Sequence, residues 1–362
     1  MHNLYEIDML ERNSTPLRSG SALVVQGKKS DLFKTILEEL LPADILLFKE
    51  TLETALRPQA GYLTETEYQI YHRGKKIRPV MLILAARLLC NDGPMSHKVI
   101  KAAVSLEMLH VATLIHDDII DQALLRRGLQ SVNATRGTNA AILVGDMQFV
   151  QAIRCFVDAI DTQSEMGLVK LVLDTAFRIC AGELDELQAD PYRLSGKLKE
   201  HYFKVIERKT AIMFGLACET GAALVQGRTS DARRIGFYGR RVGRAFQIMD
   251  DILDFLQHED SSGKVRGTDL AQKRLSLPII YAMEELGPDH LVSKIIKGHI
   301  PVTPETLQEA EEAIGQTASL ERAYADARHQ ALDALEYLKP FRRNRYKDAL
   351  TELALYTVDR SF

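Results

Sequence analysis

The chain has 362 residues, 46% of them hydrophobic and 26% charged, enough apolar side chain for a sizeable core. Its formal net charge of −3 at pH 7 leaves no global positive field to hold nucleic acid or an anionic lipid surface. Any anion it binds must be held by local side chains or by metal.

Residues 1–30 mix Glu6, Asp8 and Glu11 with Ser, Gly and Pro, unlike a signal peptide or an Arg-rich transit peptide. They read as a loosely ordered N-terminal arm. From Asp31 onward apolar residues recur with helical spacing, and Gly and Pro collect at a few boundaries. The predicted helices cover 31–57, 64–73, 78–91, 96–122, 138–160, 164–189, 197–225, 230–257, 276–286, 304–314, 318–338 and 341–358. No strand pattern exceeds a few residues and no period of 20–50 residues emerges. Residues 31–362 therefore read as one all-α domain, a large helical bundle. The apolar run 80–90 is interrupted by Arg87 and is too short to span a bilayer, so no integral membrane segment is expected. Cys90, Cys155, Cys180 and Cys218 are scattered without CxxC spacing, as in a cytoplasmic protein with reduced thiols.

Two interhelical segments, 123–137 and 258–275, are polar, cationic and glycine-containing, and each follows an acidic cluster. The first cluster is LIHDDIIDQ, with Asp117, Asp118 and Asp121; the second is QIMDDILDF, with Asp250, Asp251 and Asp254. Residues four apart share a helix face, so Asp117 with Asp121 and Asp250 with Asp254 form two carboxylate pairs. Like charges at that spacing repel unless a cation offsets them. Magnesium, which shares itself between a few carboxylates and substrate phosphates, suits two such pairs backed by Lys and Arg. Such a site can hold a diphosphate and then expel it.

Six segments in order carry a specific resemblance. They are GKKIRP at 74–79, HVATLIHDDIID at 110–121, RRG at 126–128, ERKTA at 207–211, FQIMDDILDF at 246–255 and K-x-x-G-x-D-L-x-x-K from Lys264 to Lys273. Over roughly residues 35–360 the chain resembles the trans-isoprenyl diphosphate synthases, the polyprenyl synthetase family, and among them the medium- and long-chain members. The resemblance implies the isoprenoid synthase fold, all-α helices around a deep central cavity. It also implies condensation of an allylic diphosphate with isopentenyl diphosphate, dependent on three Mg2+ ions for which Mn2+ can substitute, in a homodimer.

Carried over by position, Asp117, Asp121, Asp250 and Asp254 would hold the metal. Arg126, Lys209, Lys264 and Lys273 would clamp the allylic diphosphate. Thr210 and Gln247 would face the reacting carbon. Lys75, Arg78, His110 and Arg127 would take isopentenyl diphosphate in a metal-free pocket. Ala112 and Thr113, with Met108 deeper on the same helix, stand where aromatic residues end short products. Their small or yielding bulk predicts products longer than C20. Phe149 or Phe156 closing the cavity would instead stop growth at geranylgeranyl diphosphate. Lys76 and Ile77 replace the family's common Arg and Leu in GKKIRP, and Met147 stands where an aromatic residue is common. A terpene cyclase would lack the second DDxxD, GKKIRP and RRG, and a non-catalytic partner subunit would have lost aspartates.

Overall fold

A computed structural model describes residues 32–90, 92–194, 196–225, 227–256 and 267–359. The N-terminal arm and Lys264 therefore lie outside the described residues. The main helices are Pro42–Leu56 (α1), Glu65–His72 (α2), Ile77–Cys90 (α3), His97–Ile120 (α4), Thr138–Val157 (α5), Met166–Leu187 (α6), Leu198–Ile206 (α7), Ile212–Leu224 (α8), Thr229–Leu256 (α9), Leu277–Leu286 (α10), Pro304–Gly315 (α11), Ser319–Leu338 (α12) and Arg345–Asp359 (α13). The expected all-α architecture is therefore found, with helix ends close to those read from the apolar spacing.

The interior helices are apolar on every side, as buried helices must be. Residues 80–86 of α3 and 102–106 of α4 are almost fully inaccessible. α4 packs on α5, α8 packs on α3 and α9, and α9 packs on α12. The largest apolar cluster joins α1–α5, α8, α9 and α13, and two smaller clusters gather around α10. By length and hydropathy α4 and α5 could each cross a bilayer, but 72% of the apolar window of α4 is buried, against 39% in α5. α4 is thus a core helix, whereas α5 keeps much apolar surface exposed.

Three departures from the expected elements matter. The predicted helix 31–57 is broken at Leu41, where a π-helical stretch Thr35–Leu40 gives way to Pro42 at the start of α1. The proline has no N–H to continue the hydrogen-bond ladder. The predicted helix 197–225 contains a π-helical turn at Glu207–Ala211 between α7 and α8. Finally, the polar segment after α4 folds into a small hairpin, Leu125–Arg126 (β1) against Leu129–Gln130 (β2). Its two-residue loop, Arg127 and Gly128, has φ of 53° and 73°. Positive φ at both loop positions is the hairpin turn that matches strand twist, and glycine adopts it without steric cost.

Candidate active site

Both aspartate clusters sit at helix C-termini. Asp117 lies in the last turn of α4 and Asp121 caps it; Asp250, Asp251 and Asp254 occupy the last two turns of α9. The negative end of the helix dipole lies there, which adds to the attraction for a cation. Burial pushes the Asp117 carboxyl up to about 7, partly offset by Lys209. Asp121 is ion-paired with Arg274. Asp118 is held by Arg126, whose Nε donates at 2.7 Å.

The π-helical turn supplies the opposite wall. Such bulges occur often at functional sites because they turn side chains out of helical register. Here the turn carries Lys209 and Thr210, and α9 approaches it closely because residue 243 is glycine. A Cβ at Gly243 would come within 2.6 Å of Ala211 Cα. One turn further along α9, Gln247 accepts a 2.8 Å hydrogen bond from the Thr210 hydroxyl and donates one of 2.9 Å to Asp251. Asp251 also accepts from the Tyr202 hydroxyl at 2.7 Å. Burial, then the charge of Asp269, raises the Asp251 carboxyl well above its ordinary range. Burial and Asp254 push Asp269 up to about 7. Its backbone N–H donates to Asp254 Oδ2 at 3.0 Å. Lys209 donates to Glu183 at 2.7 Å and Glu186 at 2.6 Å. Burial works against its charge, but these two carboxylates more than offset it and raise its pKa.

These groups converge on a cavity of about 820 Å³. Asp117, Asp121, Arg126, Lys209, Thr210, Gln247 and Lys273 line it, as do Asp251, Asp269, Glu186, Tyr202 and Arg274. Asp250 and Asp254 lie on the same end of α9 but outside this lining, with Asp250 in electrostatic reach of Arg78.

Beyond the lining, Arg78 and Arg127 form a second cationic group around the 73–78 segment, with His110 close to both. Burial lowers the pKa of Arg78 to about 10. Its guanidinium stacks 4.7 Å from the Phe214 ring centre, and its buried Nε has no hydrogen-bond partner among the described residues. Burial, followed by Arg78, Arg127 and Lys76, holds the His110 imidazole far below its ordinary pKa. Lys75 stands apart from the cavity lining, its ammonium 5.9 Å from the Tyr356 ring centre. Of the residues expected to set product length, Ala112 and Met108 are fully buried. The Thr113 hydroxyl donates back to the His110 carbonyl at 2.8 Å. None of the three lines the cavity as it stands.

Among the described residues no three His, Cys, Asp or Glu side chains gather tightly enough to hold an ion by themselves. Asp117 and Asp121 offer hard oxygen donors on one wall of the cavity and Asp251 on the other, with Asp250 and Asp254 on the same end of α9 beyond the lining. That donor set fits magnesium, which fills its remaining positions with water and substrate phosphate.

Residues 61–314 match the family model described as polyprenyl synthetase. The chain is 34% identical over 328 residues to heptaprenyl diphosphate synthase component 2 of Geobacillus stearothermophilus, covering 89% of this chain and 97% of that one. It is 31% identical over 347 residues to nonaprenyl diphosphate synthase of Mycobacterium tuberculosis, covering 94% and 98%. Among solved structures it resembles a polyprenyl synthase from Caulobacter crescentus complexed with calcium and isoprenyl diphosphate. The TM-score is 0.80 at 27% identity, over 95% of this chain and 99% of that one.

Proposed function

The chain belongs to the polyprenyl synthetase family, and from that premise we propose that it joins an allylic diphosphate to isopentenyl diphosphate in trans geometry, repeatedly, giving products longer than C20. The observation that carries this reading is the convergence of Asp117, Asp121, Arg126, Lys209 and the Thr210–Gln247 pair on one cavity. Incubating the purified chain with farnesyl or geranylgeranyl diphosphate, labelled isopentenyl diphosphate and Mg2+, then separating the dephosphorylated products by chromatography, tests it. Absence of any chain elongation would overturn it.

In this mechanism Asp117, Asp121, Asp250 and Asp254 hold Mg2+, and Mn2+ is expected to substitute. The metal's contribution, when bound, is to neutralise charge building on the departing diphosphate. Lys209 and Arg126 leave their carboxylate partners to grip the same oxygens, joined by Lys273 and by Lys264. Thr210 and Gln247 present oxygen dipoles, fixed by their mutual hydrogen bond and by Asp251, toward the allylic cation. Because these dipoles are preorganised, they stabilise that charge without reorienting during the reaction. Isopentenyl diphosphate occupies the Lys75, Arg78, His110 and Arg127 group, where arginine forks engage phosphate oxygens bidentately. The departing diphosphate takes the proton lost from the condensed product.

Two separable diphosphate sites follow from this arrangement. Arg78→Ala or Lys75→Ala should raise the KM for isopentenyl diphosphate about tenfold or more, as expected for losing a charge-assisted contact of ~1.5–3 kcal/mol. Arg126→Ala or Lys264→Ala should act mainly on the allylic substrate. Equal shifts of both KM values in every variant would remove the distinction.

The Geobacillus relative is named as one component of an enzyme. All six aspartates are present in this chain, and we propose that it acts without a dissimilar subunit, as a homodimer. Exposed apolar residues lie at heptad spacing on two helices: Leu143, Val150 and Val157 on α5, and Met166, Leu173, Phe177 and Leu184 on α6. Stripes of that kind seek a helical partner. Light scattering at micromolar concentration should give twice the chain mass, and a monomeric mass would refute the dimer. Cys90, Cys155, Cys180 and Cys218 form no disulfide among the described residues, in keeping with the cytoplasmic location we assign.

A further inference from the structure

Between the isopentenyl diphosphate group and the core lies a carboxylate that the mechanism above does not use. Glu107 sits on α4, three residues before His110, and is only 1% exposed. Lys76 donates to it at 2.9 Å, and an Arg127 Nη1 lies 3.6 Å away. Charged side chains are almost never buried so deeply unless paired, and this one pairs with cations from two separate segments. Both segments are under backbone constraint: Lys76 has a φ of 54° and Arg127 one of 53°, a region that costs non-glycine residues energy unless their surroundings hold them there.

The same two side chains also brace the 70–73 backbone. Lys76 Nζ donates to the Arg73 carbonyl at 2.8 Å. Arg127 donates to the carbonyls of Ile70 at 2.9 Å and Arg73 at 2.8 Å, and the Arg73 guanidinium returns a 3.1 Å bond to the Arg127 carbonyl. Gly74 leaves the room this needs, since a Cβ there would stand 2.9 Å from the Arg127 guanidinium carbon. Glu107 is the anionic point on which this cross-braced set closes.

We propose that Glu107 is a positioning residue for isopentenyl diphosphate binding: it pins Lys76 and Arg127 so that the 73–78 segment and the 126–128 turn present one preformed diphosphate pocket. The proposal rests on the assignment of that pocket to isopentenyl diphosphate. A carboxylate beside an anion site has two possible consequences of opposite sign. If Glu107 only neutralised charge, removing it would raise the local positive potential and tighten binding of the diphosphate. If it positions the cations, removing it lets Lys76, Arg78 and Arg127 repel and relax, and binding weakens.

The test uses the full-length enzyme with Glu107→Gln, which keeps shape and removes charge, and Glu107→Leu, which removes the acceptor as well. Positioning predicts that the isopentenyl diphosphate KM rises about tenfold in Glu107→Gln and further in Glu107→Leu, by the weakened charge-assisted contacts. The allylic KM should change less than about threefold, within the effect of a minor contact. In a double-mutant cycle, Glu107→Gln should add little to the KM defect of Arg127→Ala, because the two act as one unit. If either Glu107 variant fails to fold, isopentenyl diphosphate protection against thermal unfolding in the other gives the same comparison. A lowered or unchanged isopentenyl diphosphate KM in Glu107→Gln, or equal rises in both KM values, overturns the proposal. Arg78→Ala and Arg127→Ala separate the two assignments. If both leave the isopentenyl diphosphate KM unchanged, the pocket is misassigned and the proposal falls with it. If they raise it while Glu107→Gln does not, only the role of Glu107 is wrong.

Discussion

Asp117→Asn should lower turnover by about a thousandfold or more, a loss of ~4 kcal/mol of barrier stabilisation, while making the metal-free protein more stable at pH 8. The two effects come from the same burial. The Asp117 carboxyl is pushed up to about 7, from an ordinary 3.8. A carboxyl whose folded pKa is raised binds its proton more tightly folded than unfolded. Stability therefore falls as pH rises from about 4 through 7, and above 7 the ionised group is a full liability. The shift corresponds to roughly 4 kcal/mol at most, and a neutral amide of the same shape recovers part of it. A rise in Tm at pH 8 with retained helical circular dichroism would rule out misfolding as the cause of the lost activity. Metal binding competes with the same proton, so the wild-type affinity for Mg2+ should climb toward pH 7 and level off above it. The amide variant should show a weaker slope. Asp250→Asn should abolish turnover to a similar degree if both clusters hold metal. Near-normal turnover in either variant would defeat the two-cluster reading.

How far the sequence carries this site differs from residue to residue. Spacing four apart was enough to pair Asp117 with Asp121, because helix geometry makes such pairs neighbours whatever the fold does later. The helix itself was legible for the same reason: the apolar period over 96–122 predicts α4, which runs His97–Ile120. The π-helical turn at Glu207–Ala211 was not legible, since one extra residue in a turn leaves the apolar pattern on either side almost unchanged. It nonetheless determines where Lys209 and Thr210 point. The counter-ions were equally hidden. Arg274 reaches Asp121 across 153 positions, and Glu186 reaches Lys209 across 23. Only tertiary packing brings those groups together, and neither spacing nor composition encodes it. Lys273 was singled out by its motif, but its neighbour Arg274 makes the ion pair. Glu107 shows the opposite lapse: an acid within an otherwise apolar helical run is a visible anomaly, and the question of what neutralises it leads to GKKIRP.

Product length gives the second large expected effect. A chain growing from the carboxylates of α4 must extend along that helix, where one turn is 5.4 Å deep. Thr113 lies four residues before Asp117, Ala112 five and Met108 nine. Ala112 and Met108 are fully buried, so the cavity as it stands ends before them, and elongation past that depth requires side chains that yield. Ala has little bulk to clear, and Met has three rotatable bonds and adapts its shape readily. Ala112→Phe places a rigid ring at that depth and should shorten the dominant product by several C5 units, toward C15 or C20, while the first condensation continues. Overpacking a filled core costs about 1–3 kcal/mol, so the variant is to be compared at a temperature well below its own Tm. Thr113→Phe, on the face nearer Asp117, should shorten the product at least as much. Chromatography of the dephosphorylated products provides the readout. If folded Ala112→Phe gives the wild-type length, growth is limited by α5 instead, where Phe156 is buried and Phe149 half-buried against the core. In that case Phe156→Ala, not Ala112→Phe, would be the substitution that moves the product.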